Sequence, residues 1–141
     1  MPPISRRTLL EGAAASLGLT LAGCGSQTPS GPPQAKIEGA QIVLQDVSLP
    51  DAGQALPFVL PTGEPALLFQ NNGVWLALNA LCTHAGCVVE WSGDAKAPLI
   101  CPCHNSRFRM DGGVITGPAK APLPRFSAKI EGDHVVLSRA G

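Results

Sequence analysis

Apolar residues in this chain come in short runs cut by Gly, Pro, Asn and Asp. Gln41-Ile42-Val43-Leu44-Gln45-Asp46-Val47 alternates loosely and stops at Ser48-Leu49-Pro50, while Phe58-Val59-Leu60 stops at Pro61. Residues 66–70 and 74–78 flank Asn71-Asn72-Gly73, whose residue types tolerate positive φ, so the pattern predicts a hairpin. Arg107-Phe108-Arg109-Met110 and Val114-Ile115 around Asp111-Gly112-Gly113 predict a second. Residues 124–131 and 134–138 around Gly132-Asp133 predict a third. Trp75 is expected on the core. After the first 23 residues no segment keeps a helical period long enough to predict a helix. The expectation is a small all-β fold of antiparallel sheets.

Composition agrees with that picture. The chain has 141 residues, enough for one domain with a modest core, and 16 Gly and 14 Pro favour turns over long helices. Two Trp, four Phe and no Tyr leave the core to Leu, Val, Ile and Ala. Formal charge is zero and no run of Lys or Arg occurs, so nucleic acid is not expected as a partner.

The N-terminus changes the picture more. Arg6-Arg7 precede a small-residue apolar stretch from Gly12 to Gly23, which resembles a Tat export signal. The stretch ends Leu21-Ala22-Gly23-Cys24, which resembles a bacterial lipoprotein signal with Cys24 as the lipidated residue. It is shorter than the roughly 20 apolar residues of a membrane span, which favours lipidation of Cys24 over an uncleaved anchor. Residues 1–23 are therefore read as a Tat-type signal with a lipobox, residues 24–40 as a tether without packed structure, and residues 41–141 as the folded domain. Export places that domain on the periplasmic or outer face of the cell membrane, where disulfides persist. The membrane is met through the lipid or an N-terminal anchor.

Candidate chemistry is concentrated between Cys82 and Ser106. Cys82-Thr83-His84-Ala85-Gly86-Cys87 and Cys101-Pro102-Cys103-His104-Asn105-Ser106 each place a thiol and an imidazole at close spacing and add one further cysteine. Such a density of soft ligands points to a metal site. Three readings compete. Structural zinc on a Cys₂His₂ set leaves two cysteines without a role. A disulfide framework leaves both histidines unexplained. A Rieske [2Fe–2S] centre, with two thiolates on one iron, two imidazoles on the other and the remaining two cysteines bridged to each other, uses the whole set. His134 has no cysteine or histidine near it in sequence and is read as a surface or edge residue, outside the site.

The two boxes resemble those of Rieske iron–sulfur proteins, most closely the disulfide-containing branch found in cytochrome bc-type complexes. That resemblance implies Cys82 and Cys101 on the buried iron, His84 and His104 on the exposed iron, and a Cys87–Cys103 disulfide. It implies that the Ser106 hydroxyl donates to a cluster sulfur and that Gly117-Pro118-Ala119 forms a third loop over the cofactor. The implied fold is a base of antiparallel sheets with an inserted cluster-binding subdomain, about residues 80–120. The implied function is one-electron transfer, with a quinol able to deliver an electron to the cluster and a proton to His84 or His104. Neutral imidazoles place the potential in a range of roughly −150 to +300 mV.

Three positions depart from the family's pattern. Phe108 stands where high-potential members have a tyrosine that hydrogen-bonds a cluster cysteine. Asn105 replaces a common glycine, and Ala85 replaces a larger aliphatic residue at the docking tip. The expected role is the iron–sulfur subunit of a quinol–cytochrome c oxidoreductase, partnered by cytochrome b and c subunits and not catalytic alone. The alternatives are the small subunit of a periplasmic molybdenum enzyme resembling arsenite oxidase, partnered by a molybdopterin large subunit, a free-standing carrier, or a zinc-binding structural domain.

Overall fold

The structure is a computed structural model that describes residues 31–94 and 96–140. Arg6, Arg7 and Cys24, with the expected signal and the first part of the expected tether, lie outside the described residues. Ten strands follow in order: β1 (Lys36–Glu38), β2 (Gln41–Leu44), β3 (Ala55–Val59), β4 (Pro65–Asn71), β5 (Val74–Asn79), β6 (Leu99–Ile100), β7 (Arg107–Phe108), β8 (Val114–Thr116), β9 (Arg125–Glu131) and β10 (His134–Arg139). Seven form one antiparallel sheet in the order β1-β2-β10-β9-β5-β4-β3, and β6-β7-β8 form a second, smaller sheet. No helix appears among the described residues, and none is long and apolar enough to cross a membrane. The fold is all-β, as the pattern of short runs predicts.

Turn chemistry fixes the large sheet locally. Asn71 pairs with Val74, so Asn72-Gly73 is a two-residue turn, and both residues take positive φ (50° and 81°). That is the conformation a tight hairpin requires and that Asn and Gly adopt at least cost. Gly132-Asp133 is also a two-residue turn, joining β9 to β10 with His134 opposite Glu131, and there Gly132 takes positive φ (67°) while Asp133 does not. Pro57 lies within β3, the last strand of the sheet, where a missing N–H need not break a ladder.

The large sheet curls until its ends meet. Ala35 donates its N–H to the Val59 carbonyl at 2.8 Å, and Val59 donates to the Pro33 carbonyl at 2.9 Å. This corrects the expectation of an unpacked tether up to residue 40. Ala35 is buried and β1 pairs with β2, so packed structure begins before Gln41.

Two cores result, one on each face of β4 and β5. Ala66, Leu68 and Ala77 point inside the curl with Leu44, Phe58 and Leu137. Trp75 is half-buried against that same core. Leu67, Phe69, Leu76 and Leu78 point outward and meet Leu99, Phe108, Met110 and the thiol-bearing Cys82 and Cys101. Burial on both faces explains why these two strands read as continuous apolar runs and not as alternation. Phe69, Leu78, Leu99 and Phe108 are almost completely buried, and each such side chain stabilises by about 1.5–3 kcal/mol. The small sheet is thus held on the large one by apolar side chains, and the site sits on that second core.

Candidate metal centre

The two cysteine–histidine boxes form matching loops. In the first, Gly86 donates its N–H to the Cys82 carbonyl (2.8 Å) and Cys82 donates to the Cys87 carbonyl (2.8 Å). In the second, Asn105 donates to the Cys101 carbonyl (2.9 Å) and Cys101 donates to the Ser106 carbonyl (2.8 Å). Gly86 and Asn105 hold the same place in the two loops, and both have positive φ (74° and 61°). This accounts for Asn105. The loop demands a left-handed residue there, and Asn is among the few non-glycine residues that supply one. Asn105→Gly is therefore expected to leave stability within about 0.5 kcal/mol, whereas Asn105→Val should cost about 1–2 kcal/mol through backbone strain. Chemical denaturation of the two variants checks this; equal midpoints would refute it.

Three contacts tie three loops together. Cys87 and Cys103 form a disulfide between the first and second loops. Ala119, in the segment 117–122, donates its N–H to the buried Ser106 hydroxyl oxygen at 3.0 Å, joining the third loop to the second. The Thr83 hydroxyl donates to the Ala121 carbonyl, joining the third loop to the first. No sequence signal marks Thr83 for this role, because its partner lies 38 positions away. Only the fold brings them together.

Within this frame the expected ligands separate by depth. Cys82 and Cys101 are free thiols, buried at 2% and 0% exposure. His84 and His104 are exposed, with ring centroids 4.6 Å apart and planes nearly perpendicular. The Cys101 sulfur also lies within 4.8 Å of both disulfide sulfurs, so the bridge rests against a buried thiol. Cys87 and Cys103 themselves have no thiolate to offer. Burial alone would push the Cys82 thiol up. The N–H of His84, the Cys101 thiol, the N–H of Ala85 and the Ser106 hydroxyl together outweigh burial and hold it below its ordinary value. Donors aimed at this sulfur favour its more negative forms.

A cofactor with one end that takes two thiolates and another that takes two neutral imidazoles fits this donor set. The thiols converge on the dry side and the imidazoles on the wet side. Zinc on the same four residues would leave the depth difference and the bridged loops without a purpose. Phe108 is completely buried in the core under the site. It offers no donor. His134, by contrast, lies at the start of β10 in the large sheet, 2.9 Å from an Asp133 carboxylate oxygen and outside the three loops.

Comparison with known proteins agrees. The family model for the Rieske [2Fe–2S] domain matches residues 38–127. A cytochrome b6-f complex iron–sulfur subunit from Synechococcus sp. (strain JA-2-3B'a(2-13)) is 35% identical over 153 aligned positions, covering 97% of this chain and 88% of that protein. The corresponding subunit from Chlorobaculum thiosulfatiphilum is 38% identical over 77 residues, and the chain spans only 42% of its length. Among solved structures, the cyanobacterial plasma-membrane Rieske protein from Synechocystis PCC 6803 is 32% identical, with a TM-score of 0.52 over 60% of this chain and 85% of that one. The chain belongs to the Rieske [2Fe–2S] family, with a Rieske-type cluster, and is related to cytochrome b6-f iron–sulfur subunits.

Proposed function

We propose that this chain is the exported, membrane-tethered iron–sulfur subunit of a quinol–cytochrome c type oxidoreductase. The observation that carries the reading is the layering of the site: two buried thiols beneath two exposed imidazoles, on loops locked by a disulfide. The similarity to cytochrome b6-f subunits supports the assignment to a bc-type complex with cytochrome partners. The twin arginines and Cys24 support Tat export and a lipid anchor on the outer face of the membrane.

In this reading Cys82 and Cys101 hold the cofactor from below, and His84 and His104 hold it from the solvent side. When bound, the cluster takes up and gives back one electron at a time. The protein's part is placement. The second core keeps water from the thiol side, and the N–H groups of His84 and Ala85 stabilise negative charge on Cys82. Thr83 and Ser106 fix the loops that carry the histidines. In this reading the exposed imidazoles of His84 and His104 exchange a proton with a quinol. Ala85, exposed beside His84, is smaller than the aliphatic residue that quinol-oxidising members carry there, and it gives a quinol less apolar surface to dock on.

Because Phe108 supplies no hydroxyl, the midpoint potential should fall below that of the highest-potential Rieske proteins and above that of dioxygenase ferredoxins. Protein-film voltammetry measures it, and a value at the top of the roughly −150 to +300 mV range would defeat the expectation. The functional assignment is tested by solubilising the native membrane and identifying what co-purifies with the chain. A cytochrome b subunit is the expected result. A large molybdopterin subunit in its place would overturn it in favour of a molybdenum oxidoreductase.

A further inference from the structure

The docking tip is almost free of charge. Across the three loops, residues 82–87, 101–106 and 117–122, no Asp, Glu or Arg occurs and Lys120 is the sole Lys. Lys120 and His84 line one open crevice of about 430 Å³, together with Thr83, Pro118 and Ala121. The backbone under Lys120 is pinned on both sides. Ala119 before it donates to Ser106, and Ala121 after it accepts from Thr83. The side chain is exposed, and none of the ion pairs among the described residues involves it. The crevice thus presents an ammonium group and an imidazole, between the apolar walls of Pro118 and Ala121. The Thr83 hydroxyl hydrogen is already engaged by Ala121.

We infer that Lys120 is a partner-recognition residue: the crevice it shares with His84 receives a carboxylate from an acidic docking surface on the redox partner protein. A lone charge on an otherwise neutral tip dominates the local field, so it steers encounter and sets orientation more than it adds affinity. Because its backbone is fixed at two hydrogen bonds, the charge is held beside the exposed imidazole through which electrons pass. An acidic partner seated there is oriented for transfer, and a basic one is repelled. The inference rests on the electron-carrier reading and adds the chemical character of the partner to it.

The test uses the full-length, cluster-loaded protein with Lys120→Gln, Lys120→Glu and the charge-preserving Lys120→Arg. Each is reduced and mixed by stopped flow with two probe oxidants, an acidic-patch plastocyanin and a basic-faced c-type cytochrome. With plastocyanin at low ionic strength, Lys120→Gln should react about threefold more slowly and Lys120→Glu about tenfold or more, while Lys120→Arg is unchanged. The differences should vanish near ~0.5 M salt. With the basic cytochrome, both charge-removing variants should react faster. Rates indifferent to Lys120 would overturn the inference and leave the carrier reading standing. So would equal slowing toward both probes, which reports a changed driving force; midpoint potentials recorded alongside identify that case. Redox-inert cadmium plastocyanin separates docking from transfer, and Lys120→Glu should weaken its binding about tenfold. Lys120-dependent binding without electron transfer to either probe would sink the carrier reading and keep the acidic-partner site. Binding indifferent to Lys120 would sink the site.

Discussion

Replacing Cys87 and Cys103 together by serine will lower stability by about 3 kcal/mol and release the cofactor. The two residues are separated by 16 positions, and a cross-link closing a loop of that length contributes about that much, chiefly by restricting the unfolded chain. For a domain of this size the loss corresponds to a fall of roughly 10–20 °C in melting temperature. The damage should be local. His84 lies three residues before Cys87 and His104 directly follows Cys103, so the bridge fixes both imidazole-bearing loops. The core inside the curled sheet, built on Leu44, Phe58 and Leu68, contains neither cysteine. Visible circular dichroism should therefore decay at a temperature where the far-ultraviolet β signal persists. Unchanged cluster retention and an unchanged melting temperature would remove the bridge from the account.

Ser106→Ala is the second large effect, and it should appear in two separate measurements. Ser106 is fully buried, and its hydroxyl accepts the Ala119 N–H while donating toward the Cys82 sulfur. Alanine leaves that N–H without a partner in a dry position, at a cost of about 1–3 kcal/mol. It also removes a donor that favours negative charge at the site, so the midpoint potential should fall. Denaturation reads the first consequence and voltammetry the second. A loss of stability with the potential intact would assign Ser106 to holding the third loop alone.

Much of the molecule is legible from residue types and their spacing, because some residues answer purely local demands. Asn72-Gly73 announces a hairpin, since few pairs accept positive φ at both positions. Cys82, His84, Cys101 and His104 announce a metal centre through their spacing. The family resemblance pairs Cys87 with Cys103, and the structure shows that bridge. Other features carry no local mark. β1 lies in a proline-flanked stretch that reads as tether, and it is a strand because β2 and Val59 supply the partners for its neighbourhood. β6 is two residues long and exists because β7 pairs with it. The continuous apolar runs of β4 and β5 become intelligible once both of their faces are known to be covered.

By itself, then, the sequence determines which residues can bind soft metal, where the chain must turn, and that its strands are short and antiparallel. Each of these depends on residue type and spacing within a few positions. The tertiary structure decides the rest. It sets the thiols deep and the imidazoles shallow, gives Asn105 its left-handed place opposite Gly86, joins Thr83 to Ala121, and puts Lys120 in the crevice that His84 lines. Those outcomes depend on contacts between segments distant in the chain, and burial and hydrogen bonding between such segments are settled only when the sheets close on each other.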